Sequence, residues 1–589
     1  MVRFHFIALA VFIAALWACN AEGADFPLGD LSHDGPATPE QISMYMPVKG
    51  ELDTSAKAAV RYRETSEEDK WKDAHPLHRI RPKHTAGRTV SDAFAGVITG
   101  LKPGVSYAVE VTVTLGEDKQ VKKLTAVTRP LPPAAGKATK IIKAGSSSAE
   151  VKSVFNGAGP GDVIQFENGT YAVDGLQMKK SGTKEKPIYF RGESRQGVIL
   201  KDPTGTIIQF LPADNIIIEN LTLEGSKTDS GTSAASKGVS FWNGGKQQER
   251  TTIRNVTFNG VDMGVVSWGN TKEILVYDCT LLGNNKWEAS FINTNLTWND
   301  DGIRVPGSGH AVFNNTLTGF GDSVAVAAGM NNIGVHFYRN DIRMTGDDAF
   351  ESDYGVRNIT FYDNRIHNAM THISVDPMHG GPFFAFRNIA INIGRGPYKL
   401  NNKNTGFFLY NNTVVRTKGR AGWGWVQYAN GPLVAWGYRN NILIFLGGKK
   451  LMAMEPRGMN PIDFNHNAWY PEGSVWWSKS GGSFGSMADA RKKLAAVKPV
   501  FGTCTKRHEN DIICEPDPFE EKIEFGADYM KMLTKLYVPK LKEKALPREA
   551  GVAIPGITDG FEGKAPDMGA IITGRPLPVW GDRNLKETE

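Results

Sequence analysis

One four-residue phrase recurs through the middle of this chain and restricts its fold more than any other feature. The phrase runs Asn or Asp, a variable residue, usually Thr or Ile, then usually an apolar residue. It begins at Asn220, Asn255, Asp278, Asn314, Asn340, Asn364, Asn388, Asn411 and Asn440. The base spacing is 23 to 26 residues, with longer gaps where surface loops intrude. A period of that length describes one short β-unit stacked on the next, because a single unit cannot bury its apolar face alone. Stretches such as Ile216–Leu223 place β-branched residues at alternate positions, as a wall packed on one face demands. The recurring Asn is expected to form a ladder, each amide bonding the next coil at a bend, and so to be scaffold rather than site.

The flanks imply further units. In residues 1–24, Arg3 and His5 precede an apolar run, Phe6–Ala18, too short for a comfortable membrane span. A signal peptide is predicted, and with it a secreted, periplasmic or cell-surface protein. The run Leu16-Trp17-Ala18-Cys19 offers the alternative of an outer-membrane lipid anchor at Cys19. In an oxidising compartment Cys504 and Cys514, ten positions apart, are expected to form a disulfide, and Cys279 to be a buried thiol. The net charge of +6 suits an anionic substrate. No lysine-rich tail or basic helix points to nucleic acid, and a monomer is expected.

Between 36 and 130, Ala58–Arg63 alternates as a strand should, and Leu101–Tyr107 leads into Ala108–Val111 with a tyrosine at the start of a late strand. This resembles the tyrosine corner of fibronectin type III domains, which implies a small β-sandwich acting as a spacer or substrate-holding module. Pro130–Gly136 reads as a stiff linker. Next come an amphipathic stretch, Ser148–Phe155, a turn and strand over Gly157–Ile164, then Asn168–Tyr171 and Lys186–Phe190. Together these resemble the capped first coil of pectate-lyase-like proteins. The resemblance implies an all-β chain whose residues 138–480 form a right-handed single-stranded parallel β-helix, a solenoid. Asp463–Tyr470 reads as a last coil, and Met487–Ala496 and Ala527–Leu536 as helices. Residues 481–589 are then an extension packing on or closing the β-helix.

Stacking turns period into proximity, since residues one period apart sit roughly 5 Å apart on adjacent coils. Aligning the coils lays Asp300–Val305 over Gly321–Val326, then over Asp347–Asp353, then over Thr371–Asp376, with Arg395 and Lys418 on the next two. Period two sends Arg304, Glu351, Asp353, His372 and Ser374 outward. Several carboxylates thus share a patch with a histidine and basic residues, a crowding that raises their pKa values and marks a candidate site.

The order of these residues resembles the polygalacturonase type of glycoside hydrolase. Asp322 matches that family's first Asp, Asp347 and Asp348 its pair, His372 its histidine, and Arg395 with Lys418 its basic clamp. Asp301 joins this catalytic set from the preceding coil. The resemblance implies an exported enzyme hydrolysing an anionic, uronate-containing polysaccharide by carboxylate acid/base catalysis, with no cofactor. Arg304, Arg395, Lys418, Trp298 and Tyr354 are the expected substrate-binding residues.

The same wall supports a lyase, in which Ca²⁺ held by Asp347, Glu351 and Asp353 neutralises the uronate and Lys418, Arg395 or His372 removes the C5 proton. Asp376-Pro377-Met378-His379 loosely resembles an alginate C5-epimerase motif. A non-catalytic carbohydrate-binding or adhesin-like surface protein is the non-enzymatic alternative.

Overall fold

The computed structural model describes residues 25–585 apart from 83–87, 228–235, 242–246, 293–299, 327–330, 403, 421–425, 430–433, 448–449, 455–459, 478–481 and 496–507. The predicted signal peptide and Cys19, Trp298 and Cys504 lie outside the described residues. Among the described residues no helix is long and apolar enough to cross a membrane.

The repeats build a parallel β-helix of about eleven turns. Three strand faces can be followed from coil to coil. One passes from Asn332–Tyr338 through Gly355–Tyr362, Phe383–Phe386 and Thr405–Tyr410 to Val434–Arg439. A second passes from Thr316–Phe320 through the starts of Asp341–Ser352 and Arg365–Val375 to Ile389–Ile393 and Thr413–Arg416. The third passes from Ile303–Arg304 through Val324–Val326 and the ends of Asp341–Ser352 and Arg365–Val375 to Tyr398–Asn401. Identical register on successive coils stacks like on like. Outward rings Tyr277, Phe313, Tyr338, Tyr362 and Phe386 form a column with centroids 4.8 to 5.0 Å apart, the spacing of paired strands.

The repeated asparagines sort into two ladders. Asn315, Asn340, Asn364, Asn388, Asn412, Asn441 and Asn467 form a buried one, each Nδ2 donating to the next residue's Oδ1 at 2.9 to 3.1 Å. The same Nδ2 donates to a carbonyl of the preceding coil, so buried polar groups are satisfied at every bend. The residue before each of the first six is left-handed, among them Asn314, Asn411 and Asn440 at φ 51° to 57°. These asparagines point outward, as a second, shorter ladder, Asn440 to Asn411 and Asn255 to Asn220. The repeat phrase therefore mixes two registers one residue apart.

Helix Ser148–Asn156 caps the first coil, with Ser147 and Glu150 closing a capping box at its start. Helix Met487–Ala495 lies near the other end. Ala527–Leu536, expected to be helical, is irregular, with bends and a turn over its first half. Coil side chains take its backbone groups instead: Asn368 donates to Leu533 O at 2.9 Å and accepts from Leu533 N, and Asn392 donates to Tyr529 O. Further on, Asn440, Asn411 and Asn314 donate to carbonyls of Val552, Asp567 and Val579, so the extension runs back along the solenoid. Cys514 is a buried thiol, pushed up to about 12 by burial, and Cys504, the partner expected for it, lies outside the described residues. Its surroundings are apolar, with Phe519 and Ile523 in the same cluster.

The N-terminal module is a seven-stranded antiparallel system whose Tyr107 hydroxyl accepts the Lys102 N–H at 2.9 Å. It packs against the first face of the β-helix. Asp34 accepts from Arg357 and Asn358, Glu40 from Arg339, and Gln41 donates to the Tyr362 hydroxyl. The linker is held as well, since Arg254 donates to the carbonyls of Pro132 and Pro133.

Candidate active site

Parallel pairing on the third face fixes one outward column. Arg304 lies beside Ala325, Ala325 beside Glu351, Glu351 beside Ser374 and Ser374 beside Lys399. The alternate residues Ile303, Val324, Phe350, Ile373 and Tyr398 fill the core. At the bend before this face a second column forms. Gly302 N–H donates to Asp322 O and Ser323 N–H to Asp348 O, so Asp301, Asp322 and Asp348 lie above one another.

The two columns bring acids together. Carboxylate oxygens of Asp301, Asp322 and Glu351 lie within 4.8 Å of one another, and so do those of Asp322, Asp347 and Asp348. Asp322 belongs to both groups. Basic side chains close the cluster: Arg304 reaches Asp301 at 2.9 Å, Arg395 pairs with Asp347 and lies 3.7 Å from Asp348, and Lys399 Nζ is 3.0 Å from Asp348 Oδ2.

Burial and like charge set the protonation states. Burial, then Asp262 and Asp301, push Asp300 up to about 7. Burial raises Asp301 to about 6 against the pull of Arg304. Asp322 is raised well above the carboxylate range by burial and by Glu351, Asp348 and Asp301, and Glu351 by burial, Asp353, Asp348 and Asp301. Burial lifts Asp353 to about 7 although Lys399 opposes it. For Lys399 burial works downward, but Asp348, Glu351 and Asp322 outweigh it and raise the ammonium above its ordinary value. Burial brings Arg395 down to about 10.

Several expected residues stand elsewhere. His372 is fully buried in the core, its ring 6.0 Å from Phe361 and 5.6 Å from Tyr398, with neither nitrogen hydrogen-bonded among the described residues. Burial lowers it to about 3. Pairing sets Thr371, not His372, beside Asp348, and His372 falls in register with Ala349, which faces the core. Lys418 is exposed, its carbonyl accepts the Tyr529 N–H, and it makes no ion pair with these acids among the described residues. It sits after the second face, one coil beyond Gly394. Of the expected metal set, Glu351 groups with Asp301 and Asp322, Asp347 groups with Asp322 and Asp348, and Asp353 joins neither group. Tyr354 is 39% exposed beside the buried His379, 5.9 Å between rings. Trp268, 40% exposed, lies under the Arg304 guanidinium at 4.9 Å, whereas Trp287 is buried and donates to Tyr529 O.

Lys399 escaped the sequence reading. The signal lay in Tyr398-Lys399-Leu400, a polar residue between two apolar ones, but one extra residue between Ile393 and Tyr398 moves that strand out of a count based on the repeat.

The fold and these two columns define a parallel β-helix with an acidic wall. No family model matches the chain, and a search of curated proteins returns no match. Among solved structures it is similar to the PL6 family polysaccharide lyase Pedsa3628 from Pseudopedobacter saltans, at 13% identity over 69% of this chain and 98% of that one, TM-score 0.41. It is also similar to the PL6 family alginate lyase AlyGC, at 14% identity over 58% of this chain, TM-score 0.36, and spans 53% of that protein's length. An alginate lyase from Paenibacillus sp. str. FPU-7 matches at 16% identity over 56% of this chain and 99% of its own, TM-score 0.30. What the chain can do chemically rests on the side chains described above.

Proposed function

We propose that this chain cleaves a uronate-bearing polysaccharide by β-elimination, with Lys399 as the base. The observation that carries this reading is the position of Lys399 Nζ, 3.0 Å from Asp348 in an outward column beside two groups of carboxylates. Inverting hydrolysis needs two carboxyl groups about 6.5 to 9.5 Å apart to admit a water. Within each group the oxygens lie within 4.8 Å, a spacing that suits a shared cation, and the histidine expected to assist hydrolysis is sealed in the core.

The donors fit a hard dication such as Ca²⁺. They are all oxygens, and Oδ1 of Asp300, Asp301 and Asp348 are buried without a hydrogen-bond partner among the described residues. Asp301, Asp322, Asp347, Asp348 and Glu351 would hold it. When bound, the ion would neutralise acidic charge at the site and on the uronate, making the C5 proton easier to remove. Lys399 accepts that proton, the C5–H electron pair becomes the C4=C5 double bond, and the C4–O bond breaks as the departing oxygen takes up a proton. Only the neutral amine can do this, so Lys399 is competent once the charges that raise it are cancelled. Arg304 and Arg395 orient the carboxylates of flanking sugars, and Trp268 offers a flat face for a ring. Export, read from residues 1–24, fits such a polymer.

Digestion of alginate, pectic and glycosaminoglycan polymers tests the reading. Ultraviolet absorbance from an unsaturated uronate, lost in Lys399→Ala, is the expected result; new reducing ends without absorbance would assign hydrolysis instead.

A further inference from the structure

Away from the acidic groove, the N-terminal module and the β-helix enclose a cleft of about 520 Å³. Strands Lys57–Glu64 and Lys72–Ile80 of the module form one side, and Thr405–Tyr410 with Val434–Arg439 of the coils form the other. The coil strands belong to the first face, so this cleft is separate from the Lys399 column on the third.

Its chemistry is one-sided. Lys57, Arg79, Arg81 and Arg439 line it, with Asp463 the one acidic residue among the lining residues. Asp463 is paired with Arg439. Arg79 holds Asp92 through Nε and Nη2 at 2.6 and 2.7 Å, while its Nη1 is buried with no hydrogen-bond partner among the described residues. Arg81 donates Nη2 to Thr54 O at 2.7 Å, and Lys57 is exposed. Half-buried Phe408 adds an aromatic face, backed by the rings of His75 and His78 at 5.8 and 5.4 Å. Burial keeps both histidines neutral at ordinary pH, so the aromatic floor carries no charge of its own.

We propose that this cleft is a second, non-catalytic binding site for a short segment of acidic polysaccharide. Guanidinium and ammonium groups meet carboxylates or sulfates, and a sugar face stacks on Phe408. The cleft lies within the 300 to 1,000 Å³ typical of ligand sites, about right for a few sugar units. The module thereby holds the polymer while the groove cuts it. The identity of the anionic sugar rests on the substrate class proposed above; the presence of an anion site does not.

Calorimetric titration of the full-length Lys399→Ala chain with uronate oligosaccharides tests this. Two binding events are expected, and one of them weakens about tenfold when Lys57→Ala and Arg81→Ala are added. With Lys399 intact, the Lys57→Ala, Arg81→Ala pair raises KM on long polymer and leaves kcat and turnover of short oligosaccharides unchanged. A single event unaffected by the pair, or equal binding of a neutral oligosaccharide, overturns the proposal. Cleft binding in a chain that forms no unsaturated product sinks the elimination reading alone; turnover without cleft binding sinks this one alone.

Discussion

Lys399 lies two coils beyond Asp348 in the stack, and its ammonium sits 3.0 Å from Asp348 Oδ2. The pairing holds a proton donor and acceptor at the edge of a cluster whose acids are mostly raised by burial. It also links the charge of the acids to the state of the amine, which makes the site sensitive to pH and to cations.

Replacing Lys399 by Ala should lower kcat by about 10² to 10⁴, the usual contribution of a positioned base. Lys399→Arg keeps the charge and the ion pair, yet guanidinium stays protonated, so it should be almost as slow. Steady-state rates on uronate polymer check both. Near-normal turnover by the Arg variant would remove Lys399 from the base role.

Stability should depend on pH through the buried acids. Asp300 and Asp353 titrate near 7 and Asp301 near 6 in the folded chain, against about 3.9 for an unfolded aspartate. Folded-state values above unfolded ones mean that their contribution is fully present below about pH 4 and is lost as pH rises through 6 to 7. The Tm in chelator should therefore fall between pH 5 and pH 8, and added Ca²⁺ should restore more of it at pH 8 than at pH 5. A Tm in chelator that stays flat over this range would contradict the assignment.

Asp322 is shared by both carboxylate groups. Asp322→Asn keeps an oxygen for the Asp348 N–H, 3.0 Å away, but removes a charge. It should raise Tm at pH 8 in chelator and weaken Ca²⁺ binding about tenfold, since ligand charge sets affinity. Calorimetric titration with Ca²⁺ reads the second effect, and unchanged affinity would exclude Asp322 as a ligand.

His372 buries two nitrogens without partners, a cost of about 1 to 3 kcal/mol for an unsatisfied polar group. His372→Leu should leave turnover intact and match or exceed the parent's stability in urea. A large loss of kcat in a folded His372→Leu chain would return the histidine to the chemistry.

The scaffold was legible because stacking imposes its period on the sequence, and the alignment of Asp301, Asp322 and Asp348 followed from that period alone. Arg395 was found the same way. The errors arose where local geometry departs from the period. His372 falls in register with core-facing Ala349 rather than with Asp348, and the extra residue before Tyr398 hid Lys399. Asn314, Asn411 and Asn440 looked equivalent to Asn340, Asn364 and Asn388, although they occupy the left-handed position one residue earlier. Ala527–Leu536 carried helix-forming residues, but bonds to Asn368 and Asn392 hold it in an irregular path, and such partners more than a hundred residues away leave no local trace.

The mass of the fragments formed from a defined uronate oligosaccharide tests the central claim most directly. Elimination predicts that the fragment from the reducing-end side, which carries the unsaturated sugar at its new non-reducing terminus, is lighter by one water than its hydrolysis counterpart, with no oxygen taken from labelled water. Fragments carrying a full added water, with solvent oxygen incorporated, would contradict β-elimination by this chain.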